Sequence, residues 1–101
     1  MDRDLESIQE ARELVTRARA AQRTFATAPQ DRVDRVVTAM GEAAERAVEP
    51  LARLAVDETG MGRYEDKVLK NRFSAVHVRR YVLQLKTCGL IRESPESGRR
   101  F

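Results

Sequence analysis

Residues 58–71 read ETGMGRYEDKVLKN, and this stretch sets the boundary between two predicted helices. A left-handed glycine satisfies the last carbonyls of a helix, so we expect one helix to end at Thr59-Gly60. Gly62 adds a second hinge, and the residues from Tyr64 to about Thr87 contain neither Gly nor Pro. Their apolar side chains form a broad, slightly rotating band, which predicts a further helix over this segment.

Three helices are predicted before this boundary. Pro50 disfavours a continuous helix through the two residues before it, so a short third helix starts there, with Leu51 and Leu54 on one side. The second helix starts at residues 27–29, where the missing N–H of Pro29 costs nothing in a first turn. Gly41 weakens this helix by about 1 kcal/mol relative to Ala. Its apolar stripe consists of Val33, Val36, Val37, Met40, Ala44 and Ala47.

The first predicted helix runs from Leu5 to Phe25, again without Gly or Pro. Asp2 or Asp4 is placed to cap its start, because a carboxylate there accepts from free backbone N–H groups and suits the helix dipole. Its apolar residues recur at helical spacing among Arg, Glu and Gln, which predicts an amphipathic helix. They are Ile8, Ala11, Val15, Ala18 and Phe25.

These segments predict an all-α fold of about four helices over residues 1–87, followed by a connector and tail over residues 88–101. The 101 residues allow one domain at most. Trp is absent and the chain has only 3 Phe and 2 Tyr, so the core material is thin. We therefore expect marginal stability unless a partner covers one face.

The charge and cysteine content indicate in which compartment this protein functions and whether it contacts a membrane. The net charge of +3 comes from interspersed signs, which is typical of a solvated surface. The single cysteine, Cys88, cannot form an internal disulfide, and no apolar run approaches the length of a membrane span. The acidic N-terminus does not resemble a secretory signal. These features predict a cytoplasmic protein without a membrane partner.

A search for catalytic groups identifies no complete site. Cys88 is the one thiol and His77 the one imidazole, and on a single helix eleven residues would separate them by about 16 Å, too far for proton transfer. Glu65 and Asp66 are adjacent, so they point to different faces and favour the helix dipole more than acid–base catalysis. We therefore predict no catalytic residue in this chain, and interpret Cys88 as a small apolar side chain near a helix end.

Binding sites for metals and nucleotides are not predicted either. One Cys and one His do not make a zinc site without suitably spaced carboxylates. The turn Gly60-Met61-Gly62 lies between two predicted helices, whereas a dinucleotide-binding turn joins a strand to a helix. The pairs Arg79-Arg80 and Arg99-Arg100 suggest nucleic-acid binding, but no aromatic ladder accompanies them, so we interpret them as solvated faces.

The stretch 58–71 nevertheless resembles a signature of the CoA-acylating aldehyde dehydrogenases. The likeness is greatest to the aldehyde dehydrogenase half of bifunctional aldehyde-alcohol dehydrogenases. These similarly begin with an Ala-rich helix that contains an Ala-Gln pair and a Phe, as residues 21–25, AQRTF, do here. Further matches extend it over practically the whole chain. They are Gln30, Val33 and Asp34 in the second helix, Leu51-Ala52 and Leu54-Ala55-Val56 in the third, and Lys86-Thr87-Cys88-Gly89 after the fourth.

The resemblance implies a specific chemistry for the whole family. An aldehyde forms a thiohemiacetal on an active-site cysteine, hydride passes to NAD, and the resulting thioester is transferred to coenzyme A. The family's catalytic cysteine and cofactor-binding strands lie beyond the point where this sequence stops, so Cys88 matches a non-catalytic position. The resemblance thus implies that these helices pack beside a nucleotide-binding sheet and that the sequence stops before the sheet begins. On their own, the helices are then expected to bind neither cofactor and to be inactive.

A second hypothesis comes from the exposed apolar stripes on a thin core. They predict an interaction module that pairs through its helix faces, either with itself or with the remainder of a split dehydrogenase. Nucleic-acid binding through the four arginines is a third hypothesis, which the sequence favours least.

Overall fold

The computed structural model describes residues 2–101, and its secondary structure is almost entirely helical. Helix α1 spans Arg3–Phe25, α2 spans Gln30–Arg46, and α3 spans Val48–Thr59. Helix α4, Tyr64–Arg72, continues through a π-helical segment, Phe73–Val78, into the short α5, Arg79–Val82. These bounds confirm the predicted helical fold.

Helix α1 begins at Arg3, two residues before the predicted Leu5, and Asp2, one of the two predicted caps, is its N-cap. The Asp2 side chain accepts from the Asp4 backbone N–H at 3.4 Å. The first half of the helix carries Asp4, Glu6, Glu10 and Glu13 against Arg3 and Arg12, while the second half carries Arg17, Arg19 and Arg23 and no acid. This order suits the helix dipole, which favours negative charge at the N-terminus and positive charge at the C-terminus.

The break between α2 and α3 lies earlier than predicted. Only Ala47 separates the two helices, and Pro50 lies inside the first turn of α3 instead of starting it. A proline is tolerated there because the N–H groups of a first turn have no partner within the helix. The end of α3 is as predicted, since Gly60 adopts the left-handed conformation with φ 66°.

The predicted fourth helix differs in two respects. It ends at Val82 and not near Thr87, and its middle is a π-helix. A π-turn contains more residues than an α-turn, so successive side chains are rotated less about the axis and neighbours come closer to one face. The consecutive Ala75 and Val76 are both buried in this segment.

The tail contains a small hairpin that the sequence did not predict. Strand β1, Glu93–Ser94, pairs antiparallel with β2, Arg99–Arg100, through a turn with Gly98 at φ 67°. The pairing extends by hydrogen bonds between Arg92 and Phe101. The predicted connector is therefore ordered at its far end, although the fold remains helical.

The core is small, and its buried side chains lie on α3 and on the π-helical segment. Among residues 2–101 the buried apolar side chains are Val48, Ala52, Ala75 and Val76. Two further contacts join α3 to α4: Asn71 Nδ2 donates to the Val48 carbonyl at 3.2 Å, and the Arg53 guanidinium lies 4.0 Å from the centre of the Tyr64 ring. Helix α1 contributes nothing to this core, because none of its residues is buried.

Candidate functional site

Gln30, at the first position of α2, clamps the segment that follows α5. Its Oε1 accepts from the backbone N–H groups of Thr87 at 2.8 Å and Cys88 at 3.1 Å. Its Nε2 donates to Thr87 Oγ1 and to Asp34 Oδ1, each at 2.9 Å. An amide side chain has two donor hydrogens and two acceptor lone pairs, so all four are used. We call this arrangement the Gln30 clamp.

The Gln30 clamp borders an open pocket where the end of α1 meets the start of α2. The pocket has a volume of about 650 Å³, and its lining includes Phe25, Val33, Cys88 and Gly89. Cys88 is half-buried there with a free thiol, and its Sγ lies 3.8 Å from Thr87 Oγ1. Cys88 therefore lies six residues beyond the end of α5 and beside the first residue of α2.

The other candidate catalytic residues lie apart from the clamp. His77 is exposed in the π-helical segment, where its ring centroid is 5.9 Å from that of Phe73. Glu65 and Asp66 are exposed in the first turn of α4, where negative charge favours the helix dipole. That the chain carries no catalytic residue stays a prediction.

An apolar groove runs between α2, the start of α3 and the π-helical segment with α5. We define it by its apolar walls and by a floor formed where Gly41 meets Arg79. Its volume is about 390 Å³. The apolar walls include Val37, Met40, Ala44, Leu51, Val78 and Val82, and the lining is completed by Ala75 and the polar Asn71 and Ser74.

Arg79 corrects one sequence-based interpretation. We interpreted Arg79-Arg80 as a solvated face, but the Arg79 side chain is only 15% exposed. Its Nη2 donates to Glu45 Oε2 at 3.3 Å, whereas its Nη1 is buried without a hydrogen-bond partner among residues 2–101. Gly41 leaves room for the Arg79 side chain, since a Cβ at that position would lie 2.7 Å from Arg79 Nη1 and would overlap Cδ. Arg80 is exposed, as interpreted.

The chain exposes far more surface than a compact protein of its size. Its solvent-accessible surface is 8587 Å², whereas a folded monomer of 11.5 kDa is expected to expose about 5,800 Å². Its radius of gyration is 18.4 Å against about 13 Å expected. Met40, Leu51, Leu54, Leu69, Phe73 and Tyr81 are each at least half exposed. The excess is about 2,800 Å² over the whole chain, including α1, none of whose residues is buried.

Residues 2–101 include no group of three or more His, Cys, Asp or Glu side chains arranged to hold a metal ion. In the same range, no helix combines the length and apolar character needed to cross a membrane.

Comparison with known proteins gives relatives of one kind. The chain is 40% identical over 92 residues to the bifunctional aldehyde-alcohol dehydrogenase AdhE of Escherichia coli, covering 91% of this chain. It is 38% identical over 85 residues, 84% of this chain, to the acetylating succinate-semialdehyde dehydrogenase of Clostridium kluyveri. Its fold matches the crystal structure of an acetylating aldehyde dehydrogenase from Geobacillus thermoglucosidasius with a TM-score of 0.82 and 43% identity over 94% of this chain. This chain is a relative of the acylating aldehyde dehydrogenases.

The resemblance expected from residues 58–71 is thereby confirmed. No model of a known protein family matches the chain. The chain spans about 10% of the E. coli relative, 19% of the C. kluyveri relative and 21% of the Geobacillus chain. The match therefore concerns a small helical part of an acylating aldehyde dehydrogenase.

Neither the Gln30 clamp nor the approach of Arg79 to Gly41 was predicted from the sequence. Gln30 was singled out by resemblance alone, and nothing in the local sequence pairs it with residues 57 and 58 positions further along. Gly41 was interpreted as a weak point of α2, whereas it provides space for a side chain from another helix. In each case the partner is distant in sequence, so no local pattern signals it.

Proposed function

We propose that this chain is the N-terminal helical part of an acylating aldehyde dehydrogenase, and that it supports the catalytic domain without carrying reacting groups. The observation that carries the proposal is the Geobacillus match, with a TM-score of 0.82 and 43% identity. The whole enzyme would convert an aldehyde, coenzyme A and NAD to an acyl-CoA and NADH. A cytoplasmic location is part of the proposal.

The surroundings of Cys88 and His77 support the proposal that this part of the enzyme carries no reacting group. The thiol of Cys88 lies beside the Gln30 clamp, and His77 lies beside Phe73. NAD would accept the hydride and coenzyme A the acyl group, both at sites outside these residues. The chain's own side chains would hold the helices in place: Gln30 fixes the segment after α5, and Arg79 joins α5 to α2 through Glu45.

An activity assay tests the proposal in two steps. The purified chain is first mixed with acetaldehyde, coenzyme A and NAD, and we expect no formation of NADH. A chimera is then made in which this chain replaces the matched segment of the Geobacillus enzyme, and we expect acylating activity. Turnover by the chain alone, or a folded chimera without activity, would contradict the proposal.

A second candidate function is self-association as a helical interaction module. The large apolar side chains exposed on its helices favour it, because exposed apolar patches mark interaction surfaces. Sedimentation of the chain over a wide concentration range distinguishes this candidate, since it requires a mass that rises with concentration.

A further inference from the structure

We propose that α4, the π-helical segment and α5 together present a binding surface for single-stranded nucleic acid. A row of exposed rings stacks on the bases, and arginines beside the row contact the phosphates. The rings are those of Phe73, His77 and Tyr81, which we call the aromatic row. This ligand is separate from the aldehyde, NAD and coenzyme A of the proposed enzyme.

The positive charge of the chain is concentrated in the segment that carries the aromatic row. Residues 67–92 contain seven Lys or Arg and no Asp or Glu, whereas the rest of the chain contains 12 Lys or Arg against 16 Asp or Glu. The formal net charge of +3 therefore conceals a segment with a charge of +7. A cluster of basic residues without acids is the electrostatic footprint of a protein that binds a polyanion.

The three rings lie on one side of the helix because the segment between them is π-helical. Positions four apart in an α-helix are separated by about 400°, so a regular helix would rotate Tyr81 by about 80° relative to Phe73. The π-helical segment, Phe73–Val78, rotates successive residues less and offsets this drift. The ring centroids of Phe73 and His77 are 5.9 Å apart, with their planes inclined by 38°. An aromatic ladder was not predicted here because the sequence carries no signal for the π-helix.

All three rings of the aromatic row face solvent. Phe73 is 59% exposed and Tyr81 is 64% exposed, and His77 is exposed as well. The buried residues of the same segment, Ala75 and Val76, lie on the side that packs on the core. A row of exposed rings is a stacking platform for a single strand, because every base has a π-face that an aromatic side chain can cover.

Two arginines flank the aromatic row on one edge. Arg72 directly precedes Phe73 and Arg80 directly precedes Tyr81, so each arginine is rotated by about 100° to the same side of its ring. Both arginines are exposed, and neither forms an ion pair within residues 2–101. Their guanidinium groups are thus placed to contact the phosphates that link bases stacked on the row.

These features favour a single strand over other polyanions. In a duplex the bases stack on one another, so their faces are not open to the rings of the aromatic row. An acidic protein segment would satisfy the two arginines but would bring few planar groups to the rings. The combination of a ring platform with an arginine edge therefore identifies the class of ligand.

Fluorescence anisotropy of the full chain with labelled single strands of about 12 nucleotides tests this surface. Oligo(dT) and oligo(U) show whether DNA, RNA or both bind, and an abasic DNA strand of the same length offers the phosphates alone. At about 50 mM salt we expect the strands with bases to bind at least about tenfold more tightly than the abasic strand, because stacking adds affinity. A duplex of the same length should bind more weakly than oligo(dT).

A double variant tests the rings themselves. Phe73→Leu with Tyr81→Leu keeps apolar side chains but removes the stacking faces, so we expect its affinity for oligo(dT) to fall by on the order of tenfold. Its affinity for the abasic strand should equal that of the wild type. Phe101→Leu is the matched control and should leave both affinities unchanged, since Phe101 is also an exposed ring beside an arginine, Arg92, but lies in the hairpin.

The arginines are tested by the salt dependence of binding. For a single strand, each phosphate contact contributes about 0.7 to the slope of log affinity against log salt concentration. Arg72→Gln with Arg80→Gln should therefore reduce the slope by about 1.4. Arg12→Gln with Arg19→Gln removes two exposed arginines of α1 and should leave the slope unchanged.

Three results would overturn the proposal. One is the absence of binding to both oligo(dT) and oligo(U) at low salt. Another is equal affinity for oligo(dT) and the abasic strand, which would show an effect of charge without stacking. The third is an oligo-glutamate peptide of equal charge that competes as well as oligo(dT), which would identify an acidic protein as the partner. Circular dichroism verifies the fold of each variant, and if the ring variant does not fold, the comparison with the abasic strand still decides.

Discussion

Arg79 crosses α2 at Gly41, and the absence of a side chain at Gly41 is what allows this crossing. A Cβ there would overlap Arg79 Cδ, in the middle of the side chain and not at its flexible tip. The guanidinium reaches Glu45 one turn further along the same helix, at 3.3 Å. A glycine in α2 thus serves the contact between α2 and α5.

Gly41→Ala is expected to destabilise the chain despite the better helix propensity of alanine. The propensity gain is about 1 kcal/mol, whereas overpacking costs roughly 1–3 kcal/mol and here also displaces the Glu45 ion pair. Urea unfolding followed by circular dichroism measures the difference. In an Arg79→Ala background the clash is gone, so Gly41→Ala should be stabilising. The same sign in both backgrounds would contradict the proposed role of Gly41.

Gln30→Ala is expected to release the segment after α5. The variant loses the acceptor for two backbone N–H groups and the donor to Thr87 Oγ1. At a net value of about 1 kcal/mol for a hydrogen bond, amide exchange at Thr87 and Cys88 should rise on the order of tenfold. Gln9→Ala is the control, since Gln9 bonds only within α1, to Glu13. Unchanged exchange at both amides would refute the clamp.

Val48→Ala tests the small core. Val48 is 1% exposed, so we expect its truncation to lower the free energy of unfolding by about 2 kcal/mol. Val15 in α1 is 67% exposed, and Val15→Ala should change the free energy of unfolding by less than about 0.5 kcal/mol. If both variants lowered the free energy of unfolding equally, Val48 would not belong to the core.

Gly60→Ala tests the end of α3. Gly60 has φ 66°, and no atom lies within 4 Å of the site for a Cβ, so the cost arises from the backbone alone. An L-residue in this conformation costs roughly 1–2 kcal/mol, whereas Asn tolerates it better. Thermal melts should therefore rank the wild type above Gly60→Asn and Gly60→Asn above Gly60→Ala. An alanine variant as stable as the wild type would contradict this ranking.

Local chemistry explains which parts of the fold could be predicted from sequence. The Asp2 cap and the left-handed Gly60 each depend on a few neighbouring residues, and both were predicted. The start of α3 was misplaced because Pro50 marks a first turn without specifying which position of that turn it occupies. The π-helical segment has no sequence signal that we can name, and the fourth helix was expected to be regular.

The candidate site was less predictable for a different reason. Both the Gln30 clamp and the pair formed by Arg79 and Glu45 join residues more than 30 positions apart. Helical periodicity shows which face of an element is apolar but not which element it meets. The arrangement of polar partners across helices therefore came only from the structure, whereas the family came from a short stretch of sequence.

The isolation of α1 has a consequence for how the chain unfolds. None of its residues is buried, so no tertiary contact of the core depends on it, and its own stability comes from the Asp2 cap, its backbone hydrogen bonds and the order of its charges. Helix content from α1 should thus decline gradually on heating, while α2 to α5 melt in one cooperative step. We therefore expect α1 to unfold independently of the cooperative unit formed by α2 to α5, and covering α1 would join it to that unit.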